Sequence, residues 1–196
     1  MLSFLPSRCT YCLVVGPSPC TDCGAQVRRA TPGPDGIRSA LCYEGVAREL
    51  VARLKYRNHR DALAYLAHQV AGLVESDEID VVTWVPTTAR HHRERGFDHG
   101  ALLAKSVARQ LRLPARRLLA RPYDDAQTGR NKAQRAIGPT LVARRGALSR
   151  RVLVVDDVVT TGVTLRNAAV ALRSSGAVNV VLVTAARTPL GHHARR

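Results

Sequence analysis

The chain has 196 residues, of which 45% are hydrophobic, and this is enough to build a core and too much for a disordered protein. Its formal net charge is +15 at pH 7, and 27 of its 30 basic residues are arginines. No apolar run approaches the roughly 18 residues that a membrane-spanning helix needs, and the first seven residues lack the character of a signal peptide. We therefore expect a cytoplasmic protein with one α/β domain that leaves room for a small appendage, and no membrane insertion.

The positive charge is concentrated in the second half of the chain. Between Arg90 and Arg151 there are 16 basic and 4 acidic residues, which gives +12 over 62 residues. Guanidinium groups match phosphate oxygens, so this segment indicates a polyanionic partner, either a small phosphorylated compound or nucleic acid. A solvated basic surface is the alternative, and aromatic residues that would stack on bases make up only 4% of the chain.

Four cysteines near the N-terminus predict a structural metal site. Two Cys-x-x-Cys pairs stand seven residues apart, and this pattern can place four thiolates around Zn²⁺; the candidate ligands are Cys9, Cys12, Cys20 and Cys23. Two disulfides are a poor alternative without an export signal. Four protein ligands leave no open coordination position, so we expect a structural role. The fifth cysteine, Cys42, is expected to be a small buried apolar residue.

A change in composition after the cysteines predicts a domain boundary. The turn-rich residues 31–36 indicate a linker, so we expect a zinc module over residues 1–36 and a second domain over residues 37–196. Apolar periodicities of helix and strand then alternate, which predicts strands and helices arranged on a parallel sheet. We expect helices around residues 46–57, 61–74 and 102–111, and strands at residues 80–85, 117–121 and 178–184.

The most informative stretch covers residues 152–164. An apolar, β-branched run predicts a buried parallel strand that ends in two adjacent carboxylates, Asp156 and Asp157. A loop of small and hydroxyl residues follows, and helical periodicity begins at Leu165. This order predicts a site for a phosphorylated sugar, because helix N–H groups bind phosphate, Gly162 permits close approach, and carboxylates accept from vicinal hydroxyls.

A Walker B strand, or a strand, turn and helix with no ligand, would also give an apolar run that ends in acids. A Walker B strand also ends in acidic residues, but it requires a Gly-x-x-x-x-Gly-Lys-[Ser/Thr] loop, and the chain contains no Gly-Lys pair. A strand, turn and helix with no ligand stays open as an alternative, because short motifs produce false matches.

The stretch resembles the phosphoribosyl-pyrophosphate (PRPP) signature of type I phosphoribosyltransferases. The resemblance implies an α/β fold with a mostly parallel sheet and flanking helices, and a site in which the acids hold the ribose hydroxyls. It also implies that the following loop holds the 5′-phosphate. The PRPP-binding residues implied in this way are Asp156, Asp157, Thr160, Thr161, Gly162, Val163 and Thr164.

The chain as a whole resembles the ComF family, which joins an N-terminal zinc module to a phosphoribosyltransferase fold. The similarity includes the paired cysteines, Tyr43-Glu-Gly45, a Leu-Lys-Tyr-Arg run, and Arg95-Gly-Phe-Asp98-His99, where the family usually has Arg-Gly-Phe-Asn-Gln. It implies that the loop after the strand at residues 80–85 contacts pyrophosphate. Candidate residues for that contact are Thr87, Thr88, Arg90, Arg93 and Arg95.

A flap that closes over PRPP is implied for residues 123–138. Gln127 and Arg135 match the family's pattern there, whereas Gly138 stands where an asparagine is usual. The resemblance also implies Mg²⁺ bound with PRPP, and displacement of pyrophosphate at ribose C1 by a nitrogenous base. Purine-salvage members carry an aspartate at the position of Thr160, so purine salvage is disfavoured. No catalytic residue and no acceptor base are assigned.

A non-enzymatic role is the alternative that the resemblance leaves open. ComF-type proteins are associated with natural competence, so a DNA-uptake or DNA-processing factor is also expected from it. In that role the basic surface would bind competence proteins or single-stranded DNA.

Overall fold

A computed structural model describes residues 7–57, 60–88, 93, 96–122 and 139–189 of the chain. The described residues form an α/β structure with one four-stranded sheet and one short two-stranded antiparallel sheet. None of their helices is long and apolar enough to cross a membrane. In chain order the elements are α1 (Thr21–Ala25), β1 (Arg38–Cys42), α2 (Gly45–Arg57), α3 (Arg60–Ala71), a 3-10 turn (Ser76–Glu78), β2 (Val81–Trp84), α4 (His99–Leu111), β3 (Leu119–Ala120), β4 (Val142–Ala143), β5 (Arg151–Val159), α5 (Val163–Ser174) and β6 (Asn179–Arg187).

The main sheet is entirely parallel, with the strand order β1-β6-β5-β2. The two central strands, β5 and β6, pair over their whole length, and Asp156 lies opposite Thr184. On the other side of β5, Trp84 lies opposite Val155. Because the strands are parallel, the carboxyl ends of all four meet at one edge of the sheet, which is where open α/β sheets bind ligands.

Helices cover both faces of the sheet, as parallel strands require. One apolar core lies between the sheet and helices α2, α3 and α4, and it includes Leu50, Leu66 and Leu103. The second core lies between the opposite face and α5, where Leu165 and Leu172 are buried. Burying each such leucine contributes about 1.5–3 kcal/mol, so both faces hold the central strands in place.

The amino ends of β2 and β5 are joined by an ion pair. Arg151 donates from its backbone N–H to Asp80 Oδ2 at 2.7 Å and from Nη2 to Asp80 Oδ1 at 2.7 Å. These hydrogen bonds from Arg151 lower the pKa of Asp80 to about 2. The pair therefore fixes the register of β2 and β5 at the edge opposite the predicted site.

The elements expected from periodicity are present, with shifted ends. The expected helices correspond to α2, α3 and α4, and the expected strands to β2, β3 and β6. The strand predicted to end at the acids is longer than expected. β5 continues through Asp156 and Asp157 to Val159, because β6 pairs with it over that length. The helix after it begins at Val163 rather than at Leu165.

Periodicity did not predict the edge strand β1 or β4, the second strand of the two-stranded sheet. β1 is five residues long and pairs only with β6 in the main sheet. It begins two residues after Gly36, the last residue of the expected linker. Short edge strands carry a weak periodic signal, and here the turn-rich residues before β1 hid it.

Candidate functional site

The acid pair lies on β5 at the carboxyl edge of the sheet. Asp156 Oδ1 accepts a hydrogen bond from the backbone N–H of Asp157 at 2.9 Å. Strand alternation turns the two side chains to opposite faces, and Asp156 is half-buried whereas Asp157 is buried. The two carboxylates are therefore not equivalent, although they are neighbours in the sequence.

A histidine that the sequence analysis did not assign to the site contacts the second acid. His99 Nε2 lies 2.9 Å from Asp157 Oδ2, and the side chains are only 12% and 8% exposed. His99 is the first residue of α4, and Asp98 before it caps the helix by accepting from Ala101 N at 3.2 Å. The Asp-His pair at a helix start was the available signal, but the sequence could not show that this helix begins beside β5.

The segment between β5 and α5 contains Thr160, Thr161 and Gly162, and we call it the hydroxyl loop. Both threonines are exposed. Gly162 is the N-cap of α5 with φ 73°, in the left-handed region that glycine adopts without strain. Because Gly162 has no side chain that could cap the helix, the first N–H groups of α5 are available to an anion.

Gly162 also lies in a tight space. A Cβ atom at this position would stand 2.7 Å from Ile37 Cδ1 and 2.9 Å from Arg166 Nη1. Arg166 Nη2 in turn donates to the carbonyl of Thr161 at 2.9 Å. The conformation of the hydroxyl loop is thus set by contacts from both the start of β1 and the first turns of α5.

A buried ion pair stands behind the hydroxyl loop. Arg187, at the end of β6 and 4% exposed, donates to both carboxylate oxygens of Asp35 at 2.8 and 3.0 Å. Burial alone would raise the pKa of Asp35, but the hydrogen bonds and charge of Arg187 outweigh it and lower that pKa. Asp35 comes from the expected linker, and its Oδ2 lies 3.3 Å from the Cβ position of Gly162.

The residues after β2 reach the same edge of the sheet. Thr87 and Thr88 are half-buried, and Arg121 Nε donates to the carbonyl of Pro86 at 2.8 Å. Arg93 is exposed. Of the other predicted loop residues, Arg90 and Arg95 lie outside the described residues. The predicted flap at residues 123–138, with Gln127, Arg135 and Gly138, also lies outside them.

The four N-terminal cysteines come together as predicted. Their Sγ atoms all lie within 4.8 Å of one another, and Cys12 Sγ is 3.6 Å from Cys20 Sγ. Tetrahedral Zn²⁺ with bonds near 2.3 Å requires sulfur atoms about 3.8 Å apart, so this cluster can hold such an ion. Burial acts to raise the pKa of Cys9, but hydrogen bonds from the backbone of Cys12, Cys20 and Tyr11 lower it to about 6.

The hydrogen bonds around this cluster are local. Thr10 N donates to Ser18 Oγ at 3.0 Å, and the two hydroxyls are 2.8 Å apart, which joins the segments that carry the two cysteine pairs. Cys42 stands apart from the cluster. It was expected to be buried, but it is half-buried. Residues 28–30 run antiparallel along this side of β1, and Arg28 Nη2 lies 3.9 Å from the sulfur of Cys42.

A family model described as a phosphoribosyl transferase domain matches residues 98–195. This is half of the chain, and it includes the acid pair, the hydroxyl loop and His99. The chain belongs to the phosphoribosyl transferase domain family. This establishes the type I phosphoribosyltransferase-like assignment at the level of the family.

Several solved structures resemble the chain. Glutamine PRPP amidotransferase from B. subtilis, complexed with ADP and GMP, is 25% identical with a TM-score of 0.49; the match covers 69% of this chain and 30% of that one. Orotate phosphoribosyltransferase from Aeropyrum pernix is 20% identical with a TM-score of 0.42, and the match covers 85% and 89%. The chain thus spans less than a third of the amidotransferase. A search of curated proteins found no match.

Proposed function

We propose that this protein binds PRPP and Mg²⁺ at the carboxyl edge of β5. The observation that carries the proposal is the acid pair on β5 followed directly by an uncapped helix N-terminus at Gly162. In this arrangement the carboxylates accept from the ribose hydroxyls, and the hydroxyl loop with Val163 and Thr164 surrounds the 5′-phosphate. The half-buried Thr87 and Thr88, on the neighbouring strand end, then stand on the pyrophosphate side.

The supported reaction is displacement of pyrophosphate from ribose C1 by a nitrogenous base. The developing positive charge on the ribose is the feature shared with glycoside hydrolysis. Mg²⁺, when bound, neutralises charge on the pyrophosphate. The contribution of this chain is to hold the ribose by Asp156 and Asp157 and to fix the phosphate against α5, so that C1 faces the incoming base.

The ComF type is the subgroup that we propose within the family. The four-cysteine cluster ahead of the transferase domain supports it, because the cluster has the geometry of a structural Zn²⁺ site. A net charge of +15 favours a second candidate, a competence or DNA-processing role with nucleic acid as partner. If that role holds, the logarithm of the association constant for single-stranded DNA falls linearly with the logarithm of the salt concentration.

Calorimetry with PRPP and Mg²⁺ tests the first proposal. We expect the wild-type protein to bind and its melting temperature to rise with ligand concentration. The double variant Asp156→Asn/Asp157→Asn loses this binding, whereas Asp77→Asn, a change of an exposed acid on the 3-10 turn, retains it. Absence of binding by the wild-type protein overturns the proposal.

Turnover is tested separately from binding. PRPP and Mg²⁺ are mixed with a panel of purine, pyrimidine and smaller nitrogenous bases, and pyrophosphate release is measured. Release that depends on one base identifies the acceptor. Binding without release for any base shows a protein that uses PRPP as a ligand only.

A further inference from the structure

His99 stands in contact with the acid pair, and the start of α4 gives it a fixed position there. Its Nε2 lies 2.9 Å from Asp157 Oδ2, and both side chains are close to fully buried. This separation is that of a close ion pair between an imidazole and a carboxylate, and such contacts between charged groups are among the stronger ones in proteins when they are buried.

The start of α4 is locked onto the sheet by contacts from β2. Asp98 Oδ1 accepts from Ala101 N, and Asp98 Oδ2 accepts from Trp84 Nε1, each at 3.2 Å. A Cβ atom on Gly100 would stand 3.3 Å from the carbonyl of Val85. The helix therefore approaches the strand end closely, and His99 has little freedom to move away from Asp157.

We propose that His99 is a positioning residue that holds one oxygen of Asp157 so that the other faces the ribose of PRPP. This inference rests on the proposed PRPP site. His99 does not touch the substrate in this assignment; it sets the rotamer of Asp157. Asp156 Oδ1 accepts from the backbone N–H of Asp157 on its own strand.

This role predicts that His99 affects the binding of one part of PRPP and not of the other. If the histidine acts through Asp157 on the ribose, its loss weakens binding of ribose 5-phosphate but not of pyrophosphate. A purely structural role would weaken both ligands together, because collapse of the α4 start would disturb the residues after β2 as well.

The experiment compares three variants by calorimetry with PRPP–Mg²⁺, ribose 5-phosphate and pyrophosphate–Mg²⁺ as separate ligands. His99→Leu removes the donor, and His99→Gln keeps an N–H donor on a side chain of similar reach. His68→Leu changes an exposed histidine on α3 and serves as the matched control.

We expect His99→Leu to raise the Kd for PRPP and for ribose 5-phosphate by about tenfold, the loss of one such bond. His99→Gln restores the Kd to within about threefold of wild type, and the pyrophosphate Kd stays constant throughout. Equal ribose 5-phosphate affinity in His99→Leu and wild type overturns the inference, as does a parallel loss for pyrophosphate. Failure of wild-type protein to bind PRPP overturns the proposed function instead.

Discussion

At the scale of the residue, Gly162 is restricted by both its backbone and its surroundings. Its φ of 73° is in the left-handed region, and a Cβ atom would lie 2.7 Å from Ile37 Cδ1. Gly36 has a similar φ of 68° but has nothing within 4 Å of its Cβ position. Alanine substitutions at the two glycines therefore separate the destabilisation caused by backbone strain from the destabilisation caused by a steric clash.

We expect Gly36→Ala to lower the free energy of unfolding by about 1 kcal/mol, from backbone strain alone. Gly162→Ala adds a steric clash and lowers it by about 2–4 kcal/mol. Urea denaturation of the two variants and the wild type measures the difference. Equal losses would show that the space around Gly162 adapts without cost.

The residue scale is also where the sequence was least informative. Asp156, Asp157 and the hydroxyl loop could be recognised because they are consecutive and follow an apolar strand. His99 and Asp35 could not, since they lie 57 and 121 residues before Asp156 and reach the site only through tertiary packing. Spacing along the chain holds no signal for contacts of that kind.

At the scale of the element, hydrophobic periodicity predicted most helices and strands. It misplaced the strand ends, which are set by pairing with neighbouring strands. β5 was expected to stop at the acids because carboxylates are unfavourable in strands, yet β6 pairs with it as far as Val159. The first strand, β1, was missed because its partner β6 lies more than 130 residues later. Tertiary pairing overrode local preference in both cases.

The pair of Asp80 and Arg151 makes a pH-dependent contribution to the junction of β2 and β5. The pKa of Asp80 is lowered to about 2 in the folded protein, against about 3.9 in an unfolded chain. A depressed carboxyl pKa stabilises the fold above the unfolded value, and this stabilisation is lost as the pH falls through the folded value. The stabilisation by this pair is therefore lost between about pH 4 and about pH 2.

We expect the difference in melting temperature between wild type and Asp80→Asn to be constant above about pH 5 and to shrink toward pH 2. Differential scanning calorimetry over this range measures it. Glu75→Gln, a change of an exposed acid before the 3-10 turn, is the control and should follow the wild type. A difference that does not change with pH would contradict the assignment.

At the scale of the whole molecule, the cysteine cluster and the transferase domain share a core. Cys9 and Cys23 are buried in the same apolar cluster as Leu50 and Leu66 of α2 and α3. We therefore expect loss of metal from the cluster to lower the stability of the domain that carries the acid pair, because both parts contribute side chains to one core.

We expect the purified protein to hold one Zn²⁺ per chain under reducing conditions, and a chelator to lower its melting temperature. Cys9→Ser loses the metal, whereas Cys42→Ser, which changes the half-buried cysteine outside the cluster, keeps it. Elemental analysis and thermal melting measure the two effects. A metal-free wild type with unchanged melting would refute the zinc assignment.

The ion pair between Asp35 and Arg187 decides how this protein can be shortened. The expected boundary after residue 36 would separate the two partners, which are 152 residues apart in the chain. A chain cut there leaves the guanidinium of Arg187 without its carboxylate partner, and we expect the end of β6 to be less stable as a result. A fragment that starts at residue 31 lacks the four cysteines but retains Asp35, so it keeps this support of the hydroxyl loop.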